Sequence, residues 1–241
     1  MDRFAAACAA AAPDLGCRGI GTLGEKSLHL TLKYYFAPDT DSHEQTVGGF
    51  IADAVTEDGI YEIQTRGLSR LKPKLDAFLP CCPVTVVHPV VTEKYLCSVD
   101  ANGELIGRRR SPKHESPYTA MREIYTLRDY IGRAGFRICL CMVSLDEYVK
   151  KDRAKRTKLD RVPTALHEII MLESPADYAA MLPETVAEPF TVADIAAAVH
   201  APEMQTRLFV NLLARLGILE ECGRTGRYKQ WRRTVSDSIR G

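Results

Sequence analysis

At 241 residues the chain is long enough for one large domain, or for a medium domain joined to a small one. Its composition, 46% hydrophobic and 26% charged with a net charge of +1, is that of a soluble globular protein, and no apolar run approaches the roughly 18 residues that a membrane helix needs. The eight cysteines form no C-x-x-C pair and no histidine stands at zinc-ligand spacing from them, which argues against a zinc site and for reduced thiols in a cytoplasmic protein.

The alanine-rich start, residues 4–12, predicts a helix packed on the domain rather than a signal sequence. A second helix is expected from near Gly24, where Thr22 and Glu25 stand at capping-box spacing and Leu28, Leu32 and Tyr35 form an apolar stripe. Pro38 to Glu44 reads as a loop. Gly48 to Arg66 (GGFIADAVTEDGIYEIQTR) then predicts two short strands about an Asp58-Gly59 turn. That register sets Val55 opposite Glu62 and Asp53 opposite Gln64, with Ile51, Asp53, Val55, Ile60, Glu62 and Gln64 on one face. Two carboxylates and an amide converge there on a half-buried surface, where unexplained charge is costly.

An amphipathic helix is expected from Ser69, with Leu71, Leu75, Phe78 and Leu79 apolar, followed by a buried strand at Val84 to Val87. Strand, helix and strand at this spacing make the Glu62 and Val84 strands parallel neighbours. Tyr95–Val99 and Glu104–Arg108 flank an Asn102-Gly103 turn. Tyr118–Ile131 reads as a helix, Phe136–Leu145 as a buried strand and Lys150–Arg161 as a polar connection. Residues 106–161 carry 15 basic and 7 acidic groups, whereas residues 162–189 hold five acids and no Lys or Arg and read as a linker. His29 and His88 are expected in the core.

The chain changes character after Pro189. Thr191 and Asp194 cap a helix, a turn at His200 leads to a second helix from Pro202 to about Leu216, and Ile218–Cys222 and Arg227–Arg232 flank a glycine tip. Helix, turn, helix and a basic hairpin form a winged-helix pattern. Gln205, Thr206, Arg207 and Asn211 on the second helix, and Arg224, Arg227 and Lys229 on the hairpin, are residue types that read bases or phosphates.

Asp53 on one strand, Glu62-Ile63-Gln64 on the next, and Glu25 on the preceding helix resemble the motif of the PD-(D/E)XK nuclease superfamily over about residues 20–148. The whole arrangement resembles uncharacterised bacterial proteins. The resemblance implies an α/β, restriction-endonuclease-like mixed sheet flanked by helices, plus a small C-terminal winged helix-turn-helix domain. The expected division is an N-terminal helical segment at 1–19, the nuclease-like domain at 20–161, the linker at 162–189 and the winged helix at 190–241.

The implied activity is Mg²⁺-dependent hydrolysis of DNA phosphodiesters, with Mn²⁺ as a substitute. Glu25, Asp53, Glu62 and Gln64 would be the catalytic residues, and Asp53, Glu62 and the Ile63 carbonyl the metal ligands. Duplex DNA is the implied partner, with a homodimer as one option and no membrane. Gln64 departs from the lysine usual at its position, and Arg66 and Lys72 are the neighbouring cations that could replace it. The alternative is an inactive protein that keeps the nuclease fold to bind DNA or regulate.

Overall fold

The computed structural model of the protein describes residues 2–16, 27–100, 102–151 and 156–234. Helices α1 (Arg3–Gly16) and α2 (Ser27–Phe36) are followed by strands β1 (His43–Val47), β2 (Phe50–Thr56) and β3 (Gly59–Ile63). A tight turn at Leu68–Leu71 leads into α3 (Lys72–Phe78), then come β4 (Val84–Val99), β5 (Leu105–Arg110), the short α4 (Met121–Ile124), β6 (Phe136–Lys151) and β7 (Arg156–Leu172). The chain continues through α5 (Pro175–Ala180), α6 (Val192–Ala198) and α7 (Glu203–Arg215) to a hairpin of β8 (Leu219–Thr225) and β9 (Tyr228–Arg233).

The fold is α/β. Seven strands form a mixed sheet in the order β1-β2-β3-β4-β6-β7, with β5 also paired to β4. The β3–β4 and β4–β6 pairs are parallel, as expected of strands joined by crossovers, and the remaining pairs are antiparallel. Val84 to Val91 is buried throughout because helices cover both faces of the sheet there. One face carries Ile60, Val84, Val86 and Ile138 against Leu71, Leu75, Phe78, Met121 and Ile124. The other carries Ile63, Val87, Cys139 and Val143 against Leu28 and Leu32 of α2. The alanine-rich N-terminus is a helix whose Ala7 and Ala11 pack on Leu30 and Tyr34.

Three segments differ from the sequence reading. The expected loop at Pro38–Glu44 runs into an additional strand, β1, at His43. The segment read as a helix at Tyr118–Ile131 is helical only from Met121 to Leu127. Among the described residues the polar connection at Lys150–Arg161 holds the end of β6 and the start of β7, a long antiparallel pair, and the expected linker at 162–189 holds the rest of β7 and α5. β7 is an edge strand with much of its length exposed, so it shows no continuous apolar run to mark it in the sequence.

No gap in packing separates the C-terminal elements from the sheet. Phe209, Val210, Leu212 and Leu213 of α7 share one core with Met121 and Ile124 of α4. The Tyr118 ring stands edge-on to Phe209, and its hydroxyl donates to the Met181 carbonyl at 2.6 Å.

Candidate functional site

The hairpin turns one residue earlier than the Asp-Gly pair predicts. Glu57 and Asp58 are the loop, and Thr56 pairs with Gly59, Val55 with Ile60, and Ala54 with Tyr61. Gly59 has φ 113°, and a Cβ on it would lie 2.4 Å from the Pro83 carbonyl oxygen, so only glycine fits where the hairpin meets the start of β4. Extending the register one step brings Asp53 abreast of Glu62 instead of Gln64.

At that step the backbone ladder gives way to side chains. The Asp53 amide donates to Glu62 Oε1 at 3.2 Å, and the Ile63 amide donates to Asp53 Oδ2 at 2.8 Å. Each carboxylate thus accepts a backbone amide from the other's strand. Two basic side chains face the pair. Lys74 of α3 donates to both oxygens of Glu62, at 2.8 and 3.0 Å, and His29 Nε2 of α2 lies 3.2 Å from Asp53 Oδ2.

The two carboxyls are driven apart. Burial, and after it the Asp53 charge, push Glu62 above its ordinary value against the pull of Lys74. Burial would raise Asp53 too, but the His29 hydrogen bond and charge, the Ile63 amide and Lys74 hold it below its ordinary value. Glu62 is 1% exposed, so its charge rests on Lys74.

Lys74 and His29 are functional neighbours that the sequence reading missed. Lys74 stands three residues after Leu71 and beside Leu75 at the edge of the apolar stripe, a position from which a lysine usually reaches solvent, so the sequence carries no signal for its partner. Lys72, named from the sequence as a replacement cation, forms no hydrogen bond or ion pair with either carboxylate, whereas Lys74 does. The Gln64 side chain donates to the Arg66 carbonyl, away from both carboxylates. Its backbone amide donates to Val87 O at 2.9 Å, and its carbonyl accepts from His88 Nδ1 at 2.8 Å. Gln64 is therefore not opposite Asp53 as expected. Glu25 lies outside the described residues.

In kind, the donors fit a hard divalent cation: two carboxylates on facing strands, with the backbone of Ile63 beside them. Among the described residues no group of three or more His, Cys, Asp or Glu gathers to hold a metal. Mg²⁺ commonly binds through one or two carboxylates and fills its shell with water and substrate phosphate.

The C-terminal elements bring together four of the residues picked out from the sequence. Arg207 and Asn211 of α7, with Arg227 and Lys229 of the hairpin, line a groove of about 500 Å³ beside Tyr228 and Trp231. Arg207 is paired with Glu203 at 2.8 Å and Lys229 with Glu221 at 2.7 Å. Arg224 lies 3.6 Å from Glu221, outside the groove. Thr206, expected on the exposed face, is fully buried, and its hydroxyl donates to the Pro202 carbonyl at 3.2 Å. It belongs to the apolar side of α7 with Phe209 and Val210, three and four residues on. Gln205 is half-buried.

The family described as "Domain of unknown function (DUF8091)" matches residues 26–173, more than half of the chain. The chain belongs to the DUF8091 family. The DUF8091 match contains His29, Asp53, Glu62 and Lys74 and ends with β7, so the α7–β9 groove lies beyond it. An uncharacterized protein of Treponema pallidum (strain Nichols) is 29% identical over 221 residues, covering 89% of this chain and 87% of its own length. The likeness to that protein therefore extends past the DUF8091 region and takes in most of the C-terminal elements. No solved structure matches the chain.

Proposed function

We propose that the protein is a metal-dependent phosphodiesterase acting on DNA, built on a PD-(D/E)XK-like sheet with a C-terminal winged helix that grips duplex. The observation that carries this reading is Lys74 on Glu62, with Asp53 abreast. Two carboxylates and a lysine are the side chains such chemistry needs, and α3 supplies the lysine that β3 lacks at Gln64.

Asp53 and Glu62 would hold Mg²⁺, which when bound supplies charge neutralisation at the phosphate and a more acidic attacking water. His29 keeps Asp53 ionised by donating to its carboxylate. Lys74 pulls Glu62 toward its charged form against burial and the Asp53 charge, and its ammonium would stand beside the place where phosphate charge develops. The groove of Arg207, Asn211, Arg227 and Lys229 supports the winged-helix assignment and offers cations to a duplex. Seven described cysteines are free thiols, in keeping with a reducing, cytoplasmic setting. No helix among the described residues is long and apolar enough to cross a membrane.

The test is cleavage of plasmid and linear duplex in Mg²⁺ and in Mn²⁺. The expected result is strand scission that Asp53→Ala and Lys74→Ala each lower by at least about 100-fold. Scission that persists unchanged in both variants would come from a contaminant and sink the reading. A second reading has its own observation. The carboxylates already satisfy the two strands and are balanced by Lys74 and His29, as a purely structural clasp would be. A protein that binds DNA with no scission in either metal would be that nuclease-shaped binder.

A further inference from the structure

Strand β4 changes partners along one edge. β3 pairs with it through Val87, and β5 joins only at Tyr95. The edge between them is a notch in the sheet. Pro89 falls in this interval, and the alternation from the Val87 carbonyl to the Val91 amide turns position 89 toward the notch, so its missing N–H leaves no ladder bond unmade. Val91 is satisfied instead by Glu115, whose side chain accepts its amide at 2.8 Å and whose own amide donates to its carbonyl at 2.9 Å.

Above the notch lies a cleft of about 220 Å³ lined by Arg66, Arg122 and Arg161. Its two carboxylates are engaged with backbone, Glu115 on Val91 and Glu123 on the Leu68 amide at 3.0 Å. Arg161 belongs to a further excess of positive charge, since it shares the buried Glu147 with Lys94 and Lys158. Arg66 and Arg122 are exposed and have no ion-pair partner among the described residues. His88 donates Nδ1–H to the Gln64 carbonyl and presents no second charge to the cleft, because burial lowers its pKa. The cations of the cleft are therefore arginines, whose planar forks suit phosphate oxygens.

The cleft adjoins the carboxylate pair along the chain. Arg66 follows Glu62 by four residues, at most about 14 Å of extended backbone. A nucleic-acid strand rising ~3.4 Å per nucleotide covers that distance in about four nucleotides. We propose that this notch receives a backbone phosphate of the substrate strand a few nucleotides from the scissile one, with Arg66, Arg122 and Arg161 as its contacts. The proposal rests on the nucleic-acid reading given above and adds to it a subsite that sets where the strand lies.

The test is fluorescence anisotropy of a labelled duplex with the full chain, titrated over a salt series without divalent metal. Arg66→Ala with Arg122→Ala is compared with the unaltered protein, and thermal melting checks that both are folded. One lost phosphate contact should weaken binding about tenfold and lower the slope of log K against log salt by about 0.9. Unchanged affinity and slope, or an unaltered protein that binds no duplex at low salt, would overturn the proposal. So would competition by millimolar inorganic phosphate as effective as that by unlabelled duplex, which would make the notch a free-anion site. If the slope falls while no condition gives scission, the notch stands and the nuclease reading fails.

Discussion

Lys74 Nζ lies 2.8 Å from Glu62 Oε2 and 3.0 Å from Oε1, so helix α3 places a cation on a strand residue that is almost completely buried. Removing one member of a buried ion pair leaves the other uncompensated, and about 3 kcal/mol of stability goes with it. Lys74→Met should therefore lower the unfolding free energy by that amount, read as a lower urea midpoint at unchanged m. Glu62→Gln on top of Lys74→Met should recover part of the loss, because no buried charge is then left unpaired. Strictly additive losses in the double-mutant cycle would show that the two groups do not interact in solution.

Glu147 gives a pH dependence with a definite sign. Burial would raise its carboxyl, but Lys94, Lys158 and Arg161 hold it below its ordinary value. A depressed folded value means the cluster stabilises the fold above the ordinary glutamate range, near ~4.3, and loses that contribution as pH falls through the lowered value. Glu147→Gln should cost about 3 kcal/mol at pH 7 and flatten the acid limb of a stability profile. An acid limb as steep in the variant as in the parent would refute this assignment.

Gly59 is held at φ 113° with no room for a Cβ against Pro83. Gly59→Ala must strain the backbone or push the hairpin off β4, at a cost of about 3 kcal/mol. Gly49, also at positive φ but with nothing within 4 Å of a Cβ, is the comparison. Gly49→Ala should cost about 1 kcal/mol. Equal thermal shifts for the two variants would show that the Pro83 contact does not matter.

The α7–β9 groove should behave as a duplex surface separate from the carboxylate site. Arg207→Ala with Arg227→Ala is expected to weaken duplex binding about tenfold or more, with a shallower salt dependence, and to leave the Lys74–Glu62 coupling unchanged. Binding that is indifferent to both substitutions would make this helix pair a packing module. Its continuous core with α4 would then be its whole role.

Much of the fold is legible along the chain because its signals are local. The stripe Leu28, Leu32, the buried run Val84–Val87, the parallel β3–β4 pairing and the capping box at Thr191 all rest on spacings of a few residues. Strand β7 and the far end of β6 carry no such signal, for a physical reason. The outer half of the pair reaches past the covered part of the sheet, where polar residues such as Lys158 and Arg161 pair across strands and no apolar alternation is required.

By itself the sequence determined that two carboxylates, Asp53 and Glu62, lie on adjacent strands of one hairpin, and that two helices and a second hairpin follow. Only the tertiary structure decided which residues face each other. Local turn chemistry favours closing on Asp58-Gly59, yet the chain turns one residue earlier. The Pro83 carbonyl settles it by accepting the Ile60 amide at 2.9 Å and excluding any side chain at position 59. That single slip moves Asp53 from Gln64 to Glu62. The cation is likewise a tertiary decision, since Lys74 meets Glu62 only because Leu71, Leu75 and Phe78 seat α3 on the same face of the sheet.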